Sequence, residues 1–304
     1  MLKVVNRMKI VQCVPNFSEG KDKTKIEEIV SVLKNKPGFK LISYEADASY
    51  NRTVVTLLGE PNAIKDAVVE MVGMTTKLID LNYHSGEHSR MGATDVIPFI
   101  PIKDITMEEC VDIAKICAQE INERYQIPIF LYEEAATCED RINLANIRKG
   151  QFEGMKEKIK QKEWCPDYGK AEIHPTAGVI AVGARLPLIA FNINLGTDNI
   201  EIAKNIAKAI RYSNGGFRYI KAGPAEIKER GIVQVTMNIT NYQKTSIYRV
   251  FETVKMEAKR YGVNITGSEI IGLVPMEALV DSIEYYLGLE GFSMEKVLET
   301  NLFD

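Results

Sequence analysis

Leu188-Ile189-Ala190-Phe191-Asn192-Ile193-Asn194-Leu195 reads as a strand, with a long apolar or aromatic side chain at alternate positions from Ile189. The elements after this strand decide the fold. Asp198 is placed to cap a helix that reaches about residue 211. Two more strands are expected near 217–222 and 232–239, then a helix from about 245 to 261 and a strand from about 264 to 273. The order β-α-β-β-α-β is the split arrangement of ferredoxin-like domains.

Further towards the N-terminus the same order occurs once more. Residues 10–14 form a short apolar run stopped by Pro15-Asn16-Phe17-Ser18-Glu19-Gly20. Asp22 or Thr24 can cap a helix with Ile26, Ile29, Val30 and Leu33 on its inner face. Strands are expected at 39–44 and 53–58, around the polar loop Glu45-Ala46-Asp47-Ala48-Ser49-Tyr50-Asn51-Arg52. Pro61 suits a first helical turn, and Ile64, Val68, Met71 and Val72 mark the stripe of a helix to about residue 79. The apolar run 96–102 contains Pro98 and Pro101 and is expected as an edge or irregular strand. Thr106-Met107-Glu108-Glu109 is a capping box for a helix to about 125, and strands come next at 127–132 and 179–184. The fold class expected is α+β: two ferredoxin-like βαββαβ-type subdomains, each a mixed or antiparallel sheet with helices packed on it. Their expected limits are 1–187 and 188–304. Extra helices are expected at the end of the chain, after about residue 275.

The bulk numbers agree with two domains. The chain has 304 residues, 45% hydrophobic and 26% charged, enough for more than one core. A net charge of −3 gives no general attraction to nucleic acid or membrane. No apolar run approaches the ~18 residues of a membrane helix. A cytoplasmic protein is expected, with residues 1–7 as an extra ahead of Met8. Five cysteines without a CxxC pair read as buried reduced thiols, with Cys110 and Cys117 on one helix face. Lys156, Lys158, Lys160 and Lys162 make a basic end to the polar run 139–162. They read as a solvated helix face or a docking surface for an anionic substrate tail.

Chemistry concentrates in residues 80–95, Asp80-Leu81-Asn82-Tyr83-His84-Ser85-Gly86-Glu87-His88-Ser89-Arg90-Met91-Gly92-Ala93-Thr94-Asp95, which hold two of the three histidines. The glycines argue against a helix, and the order is not the His-Glu-x-x-His of zinc peptidases. Imidazole takes and returns a proton near neutral pH, and Glu87 or a nearby aspartate can fix its tautomer. Arg90 and Arg52 suit carboxylates, to which guanidinium donates two parallel hydrogen bonds. The residues alone point to an anionic, carboxylate-bearing substrate and proton transfer by histidine.

Several segments, taken together, resemble the formiminotransferase family. They are Cys13-Val14-Pro15-Asn16-Phe17-Ser18-Glu19-Gly20, Asn51-Arg52-Thr53-Val54, Gly86-Glu87-His88 with Arg90-Met91-Gly92-Ala93, Pro98-Phe99-Ile100-Pro101, Glu163-Trp164 with Pro166-Asp167, Gly183-Ala184-Arg185, Ala190-Phe191-Asn192-Ile193-Asn194, and Gly272-Leu273-Val274-Pro275. They run in order through nearly the whole chain. The resemblance implies a transferase acting in histidine degradation and one-carbon metabolism. It would take N-formimino-L-glutamate as donor and tetrahydrofolate as co-substrate, with no metal or nucleotide. It implies a substrate tunnel between two subdomains, a homodimer, and product passed to a separate cyclodeaminase. By position in the motifs, the catalytic histidine falls on His88, with Arg90, Arg52, Asn51 and Glu87 at the donor. The folate segment falls on Gly169-Lys170-Ala171-Glu172-Ile173-His174-Pro175-Thr176-Ala177-Gly178. Tyr83 and Glu45 stand where mammalian members have arginine and aspartate, and the folate segment diverges from theirs. The alternatives are formyl transfer involving glutamate or 5-formyltetrahydrofolate, or a non-catalytic folate-binding protein. Glu45, Asp47 and Glu87 are candidate carboxylates that would favour the cationic formimino group over neutral formyl.

Overall fold

Two separate sheets, one of seven strands and one of four, organise the computed structural model, which describes residues 8–302. The extra stretch 1–7 proposed from the sequence lies outside the described residues. The chain divides between the sheets after Arg185.

The first unit opens with β1 (Ile10–Cys13), β2 (Asn16–Phe17), α1 (Lys23–Ser31), β3 (Phe39–Asp47), β4 (Arg52–Gly59), α2 (Pro61–Leu78) and β5 (Thr94–Lys103). β1 and β2 are two halves of one strand position, broken at Val14-Pro15. Each pairs antiparallel with β4 on one side and β5 on the other. With β3 outside β4, these elements make the ferredoxin-like arrangement. The sheet then continues with α3 (Met107–Tyr125), β6 (Ile129–Glu133), α4 (Glu139–Ile142), α5 (Leu144–Arg148), α6 (Gln151–Lys158) and β7 (Ile180–Ala184). β7 inserts between β5 and β6, parallel to both.

Parallel strands need cover on both faces, and the side chains alternate accordingly. Ile97, Phe99, Leu131 and Val182 join the core that includes residues of α2 and α3. Val96, Phe130, Tyr132 and Ala181 join a second core containing Ile147 of α5 and Met155 of α6. Each buried Val, Leu, Ile, Phe or Met side chain among them contributes about 1.5–3 kcal/mol on burial. This second layer brings α5 and α6 over the strand that begins at Thr94.

β5 was expected as an edge or irregular strand, and it is irregular, with register shifts in its pairing to β1 and β2. It is an interior strand, not an edge, and its first seven residues are buried. The prolines are accommodated locally. The register Cys13↔Phe99 and Asn16↔Val96 sets Pro98 beside the break at Val14-Pro15, and Pro101 lies at the register shift opposite Ile10 and Val11. A missing N–H costs little where the ladder is already interrupted. The β3–β4 hairpin is also longer than the apolar pattern suggested. Pairing reaches Asp47↔Arg52, so the loop shrinks to residues 48–51.

The second unit is the quoted strand and its sequel: β8 (Ile189–Leu195), α7 (Ile200–Ile210), β9 (Ile220–Ile227), β10 (Ile232–Ile239), α8 (Ile247–Arg260), β11 (Ile265–Ile271), then α9 (Met276–Leu287). The sheet order β11-β8-β10-β9, antiparallel throughout, is ferredoxin-like. Ile189, Phe191, Ile193 and Leu195 pack with Ile206 and Ile210 of α7 and Val250 and Val254 of α8. Asn199, not Asp198, caps α7 by accepting from the Glu201 N–H.

Cys13, Cys110 and Cys117 are buried, while Cys138 and Cys165 are exposed, so burial as a thiol environment applies to three of the five. It raises the Cys110 pKa to about 12.

Candidate active site

Several stretches of the first unit meet beside the start of β5: the β2–α1 loop, the β3–β4 turn, the loop 79–93, and residues 174–179 leading into β7. Backbone bonds join them. Ser18 N–H donates to Ala93 O at 2.8 Å, Glu87 N–H to Ser49 O at 3.1 Å, Leu81 N–H to Thr176 O at 2.9 Å and Ala93 N–H to Ala177 O at 2.9 Å. Two glycines permit this closeness. A Cβ on Gly86 would lie 2.4 Å from Tyr50 O, and one on Gly92 would lie 2.1 Å from Val179 O.

The three histidines separate by partner. His84 Nε2 donates to Asn51 O at 2.9 Å. Burial lowers its pKa, with the Asn51 carbonyl opposing, so a neutral structural ring fits. His174 Nδ1 accepts the Ala177 N–H at 3.0 Å, and burial again lowers its pKa. His88 alone faces a carboxylate. It is 7% exposed, and its Nε2 lies 3.4 Å from Asp95 Oδ2. That is longer than a charge-assisted hydrogen bond of about 2.8 Å, and Nε2 has no aligned hydrogen-bond partner.

Asp95 is fully buried. Its Oδ1 accepts the Met91 N–H at 2.7 Å, and its Oδ2 accepts from Arg148 Nε at 2.8 Å and lies 2.5 Å from Arg148 Nη2 in an ion pair. Burial alone would raise its pKa. The Arg148 charge, His88 and the Met91 N–H outweigh it and hold the carboxyl well below the usual range.

Of the two arginines expected at a substrate carboxylate, one is occupied. Arg90 is buried, with Nη1 2.8 Å and Nη2 2.5 Å from the Glu153 carboxylate and Nη1 3.0 Å from Gln151 Oε1. Arg52 is half-buried, lies 5.6 Å from the Tyr50 ring, and has a buried Nε without a hydrogen-bond partner. Burial and the Arg148 charge lower its pKa, with Asp95 and Asp47 opposing. Arg90 Nε is likewise buried without a partner, but its Nη atoms are paired, whereas Arg52 has no hydrogen bond or ion pair among the described residues.

Asn51 serves the scaffold. Its side chain accepts the Gly20 N–H and donates to Ser85 O, both at 2.9 Å, and its φ of 50° suits asparagine better than most residues. Asp47 Oδ1 accepts the Ser49 and Tyr50 N–H groups and shapes the turn. Glu45 and Glu87 are exposed. In the segment 169–178, Gly169, Lys170, Ala171, Glu172 and Pro175 are exposed, Ile173, His174 and Thr176 are half-buried, and Ala177 and Gly178 are buried. Gly178 forms a bridge with Gly92, which brings this segment against the histidine loop.

Two models of the formiminotransferase domain match the chain: its N-terminal subdomain over residues 10–185, and the formiminotransferase domain itself over 190–300. The chain belongs to the formiminotransferase family. It is 56% identical over 295 residues to glutamate formimidoyltransferase of Streptococcus pyogenes serotype M1, spanning 97% of this chain and 99% of that protein. It is 43% identical over 297 residues to glutamate formimidoyltransferase of Thermoplasma acidophilum, spanning 97% and 98%. Against formimidoyltransferase-cyclodeaminase of Mus musculus the identity is 39% over 291 residues, spanning 92% of this chain and 53% of that longer one.

In this formiminotransferase-family chain, sequence reasoning passed over Arg148. Asp95 was visible as one of two aspartates flanking the loop, either of which could fix the histidine tautomer. Arg148 lay in a run read as a solvated face, and its partner is 53 positions away. The lysines of that run are partly committed. Lys158 Nζ donates to Asn146 O at 2.5 Å, Ile147 O at 2.9 Å and Lys149 O at 3.3 Å, and sits 3.7 Å from the Trp164 ring centre. Lys160 pairs with Glu157.

Proposed function

We propose that the chain transfers the formimino group from N-formimino-L-glutamate to tetrahydrofolate, giving 5-formiminotetrahydrofolate and L-glutamate. The observation that carries this reading is His88, the one histidine beside an ionised carboxylate rather than tied to backbone. The names of the full-length relatives supply the substrate class.

The donor carbon is amidine-like and protonated. N5 of the reduced pterin attacks it and forms a tetrahedral carbon bearing three nitrogens. Forward collapse requires N5 to lose a proton and the glutamate nitrogen to gain one. One imidazole does both in turn, accepting from N5 and donating to the leaving nitrogen. Arg52 takes a donor carboxylate, since its guanidinium has hydrogen-bonding capacity left. Residues 169–178, bridged to the histidine loop, are the folate-binding segment in this reading. Holding N5 against the donor carbon contributes rate of its own.

The same reading makes the enzyme a cytoplasmic homodimer of histidine degradation and one-carbon metabolism, passing its product to a separate cyclodeaminase. Light scattering on the purified chain tests the dimer. His88→Ala tests the chemistry: a loss of about 10²–10⁴-fold is expected, with the circular dichroism spectrum unchanged. Transfer near the wild-type rate would remove His88 from the role. Formiminoglutamate and formylglutamate assayed side by side identify the group carried. Faster turnover of the formyl donor would overturn the formimino assignment.

A further inference from the structure

We propose that Asp95 and Arg148 are a positioning pair for His88: the carboxylate dictates which ring nitrogen exchanges the proton, and the guanidinium keeps that carboxylate from gripping the imidazolium. This rests on the reading of His88 as proton carrier. Arg148 lies outside the histidine loop and was not expected at the site, whereas Asp95 closes that loop and is one of the nearby aspartates the sequence offered for fixing the ring's tautomer.

The geometry is that of one anion shared by two cations. Asp95 Oδ2 holds both Arg148 contacts, a hydrogen bond from Nε at 2.8 Å and an ion pair with Nη2 at 2.5 Å, and is the atom 3.4 Å from His88 Nε2. Oδ1 is fixed by the Met91 N–H at 2.7 Å. With two anchors on it, the carboxylate cannot follow the ring, and the ring must orient to the carboxylate. An ionised oxygen only accepts hydrogen bonds, so the ring nitrogen facing it carries the hydrogen. That nitrogen is Nε2, which leaves Nδ1 to take the proton from the attacking amine and return it to the leaving one.

Arg148 has a second effect. An unshared carboxylate beside an imidazolium stabilises the charged ring and slows its release of the proton. Arg148 already answers the charge of Asp95 through the same oxygen that faces His88. The other charged groups at the cluster are Arg52 from β4, Asp47 at the end of β3, Glu87 on the loop, and Arg90, which is closed off by Glu153. Asp47 is paired in register with Arg52. Arg148 is aimed at Asp95 from the end of α5, a helix whose last carbonyls are held by Lys158.

The test is the His88 titration followed by NMR on the full chain. The protein has three histidines, and His88→Ala identifies the signal by deleting it. In the wild type, the nitrogen shifts should report the Nε2–H tautomer. Asp95→Asn should move the His88 midpoint to lower pH by about one unit and mix the tautomers. Arg148→Gln, which keeps Asp95, should move it to higher pH by about one unit, and Arg148→Lys should return most of that shift. The acid limb of kcat/KM should move in the same directions. A merely structural pair would lower thermal stability and leave both midpoints in place. An unmoved His88 midpoint in Arg148→Gln, or a wild-type ring protonated at Nδ1 instead, overturns the proposal even if Asp95→Asn fails to fold. A midpoint that moves while the rate profile does not would uphold the pairing and remove His88 from the chemistry.

Discussion

Arg52 and Arg90 show how far side-chain type carries at the scale of the residue. Both looked equally fit for a substrate carboxylate, and the fold gives one of them a partner. Nε is buried and unanswered in both, but Arg90 commits its Nη atoms to Glu153, 63 positions further along, and Arg52 commits none among the described residues. Arg52→Met is therefore expected to raise KM for the formimino donor by about 10- to 100-fold, the equivalent of one lost charged hydrogen-bond pair of about 1.5–3 kcal/mol. Its melting temperature should stay near that of the wild type. Arg90→Met is expected to behave the other way, losing about 1–2 kcal/mol of stability with little change in KM. Steady-state kinetics and thermal melts on the two variants check the contrast, and a larger KM effect in Arg90→Met would reverse the assignment. The chemistry each residue type can do was legible here. Whether another residue had already claimed it was not, because ion-pair partners far apart in the chain leave no local pattern.

At the scale of the element, local signals survived and lateral ones did not. The capping box at Thr106 and the cap at Asp22 formed as their spacing required. Prolines at 98 and 101 pointed to an edge or an irregular strand, and nothing local chose between them, because the break of the neighbouring strand at Val14-Pro15 leaves no mark on this run. The insertion of β7 between β5 and β6 was equally invisible, since apolar runs do not say which neighbour they will pair with. Yet that insertion brings segment 174–179 against the histidine loop, and it makes Gly92 the point of closest approach. Gly92→Ala would put a methyl 2.1 Å from Val179 O and 2.3 Å from Thr94 O, both backbone atoms that cannot rotate aside. The expected cost is about 1–3 kcal/mol or more, with activity falling beyond the loss of folded protein because His88 is four residues away. Lys158 gives a milder case. Removing its ammonium in Lys158→Met frees carbonyls at the end of α5, and should lower stability by about 1 kcal/mol. Thermal melts and specific activity per folded molecule measure both.

For the whole molecule, the two ferredoxin-like orders were readable because strand and helix periods differ, and each unit filled its core with the residues those periods marked. A buried charge at the start of β5 was not readable, and it governs how the protein meets acid. Asp95 is fully buried, so its ionisation survives only through Arg148, His88 and the Met91 N–H. Its pKa in the folded chain is therefore depressed, against about 3.9 in an unfolded one. Between those values the unfolded chain binds the extra proton, so unfolding becomes easier as pH falls. The stabilisation from this carboxylate is complete above about pH 5 and drains away as pH drops below about 4. Asp95→Asn cannot ionise and lacks it at every pH. The variant should be less stable than the wild type by about 3–5 kcal/mol at pH 7, the usual cost of stripping one partner from a buried ion pair. That gap should narrow steadily from pH 4 downwards. Urea titrations of both proteins between pH 7 and pH 3 measure it. A gap of constant size across that range would mean that Asp95 contributes through its shape and hydrogen bonds, and that its charge has no part in holding the fold.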